Sequence, residues 1–229
     1  MLISGFQKFS LSDFPGRISA ILFARGCNFR CPFCHNPELV DPDRYSGLID
    51  PEEILGFLQS RASRLQGVVI TGGEPTLQQD LPVMVRRVKE LGFRVKLDTN
   101  GSDPLMIERL LAQGMIDYFA MDVKAPPAAY GRITRVIGEP QKILSSIELI
   151  KSSGIEHEFR TTYVPSLLSA DEVAAIAKLV AGSRFILQRY RSSSKLLDPE
   201  IMEKADSSDE GFEALRTFLS RAGTAFETR

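Results

Sequence analysis

Short runs rich in β-branched and aromatic residues alternate along the chain with stretches of helical periodicity, the pattern of βα units on a parallel sheet. Six runs are strand candidates: ISAILFA (18–24), GVVIT (67–71), FRVKLDT (93–99), DYFAMDV (117–123), EHEFRTTYV (156–164) and RFILQRY (184–190). The helices between them carry end signals. Asp50, Pro51 and Glu53 read as an N-cap, a first-turn proline and a capping-box acid; Ser169 with Glu172 repeats the box, and Asp103 with Pro104 opens another helix. Gly92, Gly114, Gly154 and Gly182 stand where helices should stop.

No linker, low-complexity tract or charge run divides the chain, so one domain is expected over 1–229, with a core at about 18–191 and a helical tail at about 192–229. Residues 1–16 are less regular, although GFQKFSL could add a small edge strand. Beyond Ser192 the sequence reads as a loop and then an amphipathic helix with Phe212, Leu215, Phe218 and Leu219 on one face.

Six parallel strands that curl into all or part of a barrel bring their C-terminal loops to a common mouth. The residues at those ends fit such a mouth. The first strand runs into a cysteine loop, the second into TGGEPT, the third into DTNG and the fourth into MDVKAP; the fifth contains RTTYVP and the sixth QRYR. One polar ending would mean little, but six point to a shared site.

Composition narrows the function. With 43% hydrophobic and 25% charged residues the chain is an ordinary globular protein, and 28 basic against 29 acidic side chains leave a charge of -1. That balance lacks the excess expected for non-specific nucleic-acid binding, so no nucleic-acid partner is expected. No stretch reads as a signal peptide or is apolar for long enough to span a bilayer, so a cytoplasmic protein without a membrane partner is expected. Three cysteines, an odd number, fit a reducing compartment and argue against a disulfide framework.

All three thiols fall in RGCNFRCPFCHNPEL, as Cys27, Cys31 and Cys34 in a C-x3-C-x2-C spacing. A structural zinc site would want four ligands, and the nearby fourth candidate, His35, directly follows Cys34. A cluster of structural reduced cysteines would want apolar neighbours, whereas NFR and PF separate these. An iron-sulfur cubane takes one thiolate per iron, so three cysteines would leave one iron open for chemistry.

The third reading is the one with a likeness. Cys27, Cys31 and Cys34, with Phe33 before the last of them, resemble the signature of the radical S-adenosylmethionine (SAM) superfamily, and GGEP at 72–75 is similar to its SAM-binding turn. The resemblance covers nearly the whole chain. It implies an α/β fold, a partial (β/α)6 TIM-like barrel of parallel strands with outer helices. CNFRCPFCHNPEL, GGEP, DTNG, DVKAP and RTTYVP together resemble the activating enzymes of glycyl-radical enzymes. GFQKFSLSDFPG adds a likeness to the activating protein of anaerobic ribonucleoside-triphosphate reductase, with the pyruvate formate-lyase activase next.

The resemblance implies a radical SAM oxidoreductase with two cofactors, a [4Fe-4S] cluster on Cys27, Cys31 and Cys34 and SAM on the open iron. Reductive cleavage of SAM would yield a 5′-deoxyadenosyl radical that takes a hydrogen from a glycine of the partner enzyme, with a flavodoxin- or ferredoxin-type protein as electron donor. No catalytic residue is implied beyond the cluster and the SAM site. Gly72 and Gly73 would let backbone approach the methionine amino group, with Glu74 accepting a hydrogen bond nearby. Asp98, Thr99 and Asn100 match ribose- and carboxylate-side contacts, and Asp122 and Lys124 match the D-x-K of activases. Arg160 and Thr162 match positions flanking SAM, and Phe33 would pack near the adenine, with His35 and Asn36 backbone at its edge.

In the pyruvate formate-lyase activase the acids matching Asp98 and Asp122 help bind a monovalent cation beside SAM. Gln188 stands here for that enzyme's methionine ligand, which leaves the cation an open expectation. His157, between two glutamates, reads as an exposed strand residue without a role. A small-molecule radical SAM enzyme such as a 7-carboxy-7-deazaguanine synthase and a zinc-binding interaction module are the alternatives.

Overall fold

The computed structural model describes residues 1–137, 139–191, 196–198 and 209–229. All six expected strands form, each within a residue or so of its hydrophobic run: β2 (Ser19–Ala24), β3 (Gly67–Gly72), β4 (Arg94–Thr99), β5 (Tyr118–Asp122), β6 (Glu156–Tyr163) and β7 (Arg184–Arg189). They pair in sequence order and in parallel.

Two further strands extend the sheet to eight. β1 (Ile3–Ser10) runs antiparallel to β2, so the edge strand suggested by GFQKFSL exists and is longer than that run. β8 (Glu227–Thr228) pairs parallel with β7 and was not expected, because two polar residues near the chain end carry no strand pattern. The linear order, with β1 and β8 unpaired to each other, makes an open barrel.

Among the described residues eight helices follow in chain order: α1 (Pro37–Val40), α2 (Pro51–Ser60), α3 (Leu81–Glu90), α4 (Pro104–Ala112), α5 (Tyr130–Thr134), α6 (Pro140–Ser152), α7 (Ala170–Leu179) and α8 (Asp209–Arg221). Their starts follow the sequence signals. Asp50 accepts from Glu52 N, Asp103 from Met106 N, and Ser169 with Glu172 completes a reciprocal capping box. α3 shows how they dock: Leu81, Met84, Val85 and Val88 are buried against the sheet while Arg86 and Glu90 face water. Each such aliphatic side chain contributes roughly 1.5–3 kcal/mol. In α8, Phe212, Leu215 and Leu219 are buried, while Phe218 is partly exposed. The loop expected at the start of the tail lies mostly outside the described residues.

Alternation along each strand divides two cores. Outward residues join one large cluster with the helices, whereas Phe14, Ile21, Val69, Tyr118 and Ala120 fill the barrel interior at its N-terminal end. Below them, buried Glu158 takes both terminal nitrogens of Arg229 (2.8 and 2.9 Å) and the Tyr118 hydroxyl (3.1 Å).

This two-sided burial corrects the reading of His157. The ring is half-buried on the outer face, where it meets Ile155 O (2.7 Å), Ser183 Oγ (2.9 Å) and the Phe159 ring. On a barrel strand neither face is free, so flanking glutamates do not mark an exposed position. No helix among the described residues is long and apolar enough to cross a membrane.

Candidate functional site

The C-terminal ends of the parallel strands open on a cavity of about 280 Å³. Cys27, Cys31, Cys34 and Phe33 line it from the loop after β2. Gly72, Gly73 and Glu74 follow from β3, Asp98, Thr99 and Asn100 from β4, Asp122 and Lys124 from β5, Arg160 and Thr162 from β6, and Gln188 from β7. Every residue singled out in the sequence therefore reaches one space.

The three thiols are free and buried or half-buried. Burial, then the Glu74 charge, pushes Cys27 up to about 12; burial pushes Cys31 up to about 11 and raises Cys34 as well. Such thiols lose their protons to a metal centre that takes them as thiolates. Among the described residues no three Cys, His, Asp or Glu side chains converge as ligands of one ion. His35 turns away, its Nε2 on Arg191 O at 2.8 Å. His35 is thus engaged elsewhere and does not join the thiols as a fourth ligand, whereas a cubane that takes one thiolate per iron would use the three thiols for three of its irons.

Gly72 and Gly73 are glycines for a reason nearer than a ligand. A Cβ on Gly72, whose φ is 123°, would lie 2.3 Å from Ala24 N, and one on Gly73 would lie 2.0 Å from Gly26 O. The β3 loop thus packs backbone to backbone against the entry to the cysteine loop, through Gly73 N to Ala24 O (2.9 Å) and Glu74 N to Gly26 O (2.7 Å).

Glu74 is almost fully buried. Oε1 accepts from Thr76 N, Thr76 Oγ1 and Thr99 Oγ1 (3.1, 2.5 and 2.7 Å), and Oε2 from Asn100 N (2.6 Å). Its carboxylate ties the β3 and β4 loops together, and burial raises its pKa. Asn100 points its side chain to the cysteine loop, at Asn28 and Cys27. Phe33 is a buried ring with the Lys124 ammonium 6.0 Å above it.

The charged wall is a single network. Asp122 takes Arg160 Nε (2.8 Å) on one oxygen and Lys124 Nζ (2.9 Å) on the other; Asp98 takes Arg160 Nη1 (3.2 Å) and, on its second oxygen, Lys96 Nζ. Burial alone would raise both acids, but Arg160 with Lys124 or Lys96 outweighs it and holds both carboxyls below the usual range. Every oxygen of the pair accepts from one side-chain cation and keeps a further lone pair, so a metal cation here would share these oxygens with Arg160, Lys124 and Lys96.

Lys96 was missed in the sequence. Its only signal is a lysine at alternation phase with Asp98 on β4, and its side chain is 2% exposed inside the barrel. Three cations against two carboxylates leave one positive charge in the wall, apart from Glu74. Thr162 Oγ1 and Gln188 Oε1 stand 3.4 Å apart at the far side.

An open barrel of parallel strands with three buried or half-buried cysteines and a mixed-charge wall at the C-terminal mouth defines an iron-sulfur enzyme with a small-molecule site beside its cluster. The comparisons give the family. Residues 21–180 match the model of the radical SAM superfamily, and the chain belongs to it. The family uses a [4Fe-4S] cluster and SAM.

Among relatives, the chain is 40% identical over 187 residues to "Putative glycyl-radical enzyme activating enzyme MJ1227" of Methanocaldococcus jannaschii, covering 78% of this chain and 75% of that one. It is 29% identical over 187 residues to the pyruvate formate-lyase-activating enzyme of Streptococcus mutans, covering 75% and 68%. A solved structure, Streptococcus suis SuiB bound to precursor peptide SuiA, superposes with a TM-score of 0.69 at 16% identity, over 91% of this chain and 48% of that longer one. The last likeness concerns the fold alone.

Proposed function

We propose that this enzyme generates a glycyl radical on a partner protein, with anaerobic ribonucleoside-triphosphate reductase as that partner. The observation that carries the reading is the meeting of the three cysteine thiols and the β3 to β7 ends in one cavity. The relatives named for glycyl-radical enzyme and pyruvate formate-lyase activation support the activase branch. GFQKFSLSDFPG ahead of the cysteines favours the reductase over pyruvate formate-lyase. The stretch between Cys34 and β3 holds only α1, a short 3-10 turn and α2, and no further cysteines, so it carries no ferredoxin-like insertion.

Cys27, Cys31 and Cys34 would hold the cluster, which supplies one electron to SAM bound at its open iron. The chain's own part is to position SAM and keep water out. Arg160 and Lys124, pinned by Asp122, hold their charges in a partly desolvated wall, where they act more strongly on an anionic group than they would in water. Asp122 stays ionised at neutral pH and offers acceptors to hydroxyls. Phe33, buried beside Lys124, gives an apolar surface for a base. The cavity lies at the C-terminal mouth of the barrel, where a glycine of a docked partner would have to reach it.

The test is anaerobic reconstitution with iron and sulfide, reduction in the presence of SAM, and mixing with the candidate reductase. We expect 5′-deoxyadenosine and a glycyl-radical doublet by electron paramagnetic resonance. Zinc in place of iron with no 5′-deoxyadenosine would sink the enzyme reading. A cleaved SAM but no doublet on any glycyl-radical enzyme tried would favour a small-molecule substrate.

A further inference from the structure

We propose that Asn100 is the outer-sphere hydrogen-bond donor to the Cys27 sulfur and so raises the reduction potential of the cluster. The proposal rests on the cluster assignment above and goes beyond it, to what sets the cluster's driving force.

The orientation of this amide follows from its neighbours. Ser102 N donates to Asn100 Oδ1 at 2.9 Å, and since a backbone N–H can only donate, the atom facing it is the oxygen. The amide nitrogen must then face the other way. There it finds Asn28 Oδ1 at 3.0 Å and Cys27 Sγ at 3.8 Å, one partner for each of its two hydrogens. The Asn100 main chain is anchored as well, its N–H on Glu74 Oε2 at 2.6 Å. The residue is 6% exposed, so water cannot easily replace the donor.

Among the described residues Cys27 has one other donor, Phe29 N at 3.4 Å. Burial and the nearby Glu74 charge both oppose negative charge on this sulfur. An added electron increases the negative charge on the cluster and its thiolates, so a donor aimed at Cys27 favours the reduced form and raises the potential. Asn100 holds Glu74 with its main chain and Cys27 with its side chain, and so sets the donor directly against the repulsion. A contact of 3.8 Å is long, so the effect should be modest.

The test is a redox titration of the reconstituted cluster without SAM, followed by electron paramagnetic resonance, in the wild type, Asn100→Ala and Asn100→Ser. Serine keeps an acceptor for Ser102 N in the same turn but is too short to donate to Cys27. It covers the case in which the alanine variant does not fold. Both variants are expected to keep their iron and sulfide and to titrate lower than wild type, by up to about a tenfold shift in the reduction equilibrium, 59 mV for one electron. Asn28→Ala, which removes the competing acceptor and leaves the donor, is expected to titrate no lower than wild type. Equal or higher midpoints in the Asn100 variants would overturn the proposal and leave the cofactor assignment standing. A wild-type protein that takes up no four-iron cluster would overturn both.

Discussion

Asp122 shows how a single carboxylate decides the state of the site. Its two oxygens are shared between Arg160 and Lys124, and removing it would leave Lys124 without its carboxylate in a partly desolvated wall and Arg160 with Asp98 alone. Breaking such a pair costs more than the pair contributes, because the remaining charge stays buried. Asp122→Asn is therefore expected to lower stability at pH 7 by about 2–4 kcal/mol, read from urea midpoints. The pH dependence has a definite sign. The folded carboxyl lies below its ordinary value, so its stabilisation is present above about pH 4, the unfolded value, and is lost as pH falls further. Wild type should lose stability below pH 4 more steeply than the asparagine variant. Parallel profiles would show that the charge of Asp122 does not act as argued.

The thiols make a second residue-scale case. Free cysteine is half thiolate near pH 8.5, whereas Cys27 and Cys31 stand at about 12 and 11. In the iron-free protein they should react with iodoacetamide at pH 8 roughly tenfold or more slowly than a free cysteine, since only the thiolate attacks. Mass spectrometry of timed samples would show this, and rapid alkylation of both would contradict it.

At the scale of elements, the β3 loop and the cysteine loop are held by two backbone hydrogen bonds that exist only because Gly73 has no side chain. Gly73→Ala puts a Cβ within 2.0 Å of Gly26 O, a contact that backbone must move to relieve. The cost should be about 2–4 kcal/mol, with weaker iron retention on gel filtration, because the moved strand of chain leads directly into Cys27. An unchanged melting temperature and iron content would refute the close-approach argument. The glycines were visible in the sequence, but this reason was not, since it lies in a contact between residues 24–26 and 72–74. The six strands were legible because each is a local run of β-branched and aromatic residues ending in polar ones. β8 was not, because Glu227 and Thr228 form a strand only by completing β7's edge. Lys96 was overlooked for a related reason: a lone lysine in a strand usually means an outward face, and only curvature of the sheet turns it inward to Asp98.

The whole molecule separates its chemistry from its closure. The mouth carries the cysteines and the charged wall, while the opposite end is closed by Glu158, Tyr118, Arg184 and Arg229, which lie far apart in sequence and could not be joined by pattern alone. Glu158 has no exposed side-chain surface, so its partners are protein groups in place of water: Arg229 at 2.8 Å and Arg184 at 3.5 Å. Burial, then the Glu158 charge, pushes Tyr118 up to about 12, which keeps its hydroxyl a donor to that carboxylate. Arg229→Ala should therefore cost about 2–4 kcal/mol, or about 5–15 °C in melting temperature for a chain of this size. In a Glu158→Gln background the same change should cost at least 1 kcal/mol less, because the neutral amide no longer needs the guanidinium. In parallel barrels the N-terminal face serves stability and the C-terminal face the reaction, so iron content and the visible spectrum of Arg229→Ala should match wild type below its melting transition. Loss of the cluster at a temperature where the fold is intact would show that the two ends are coupled through β6, in which Glu158 and Arg160 are only two residues apart on the same inward face.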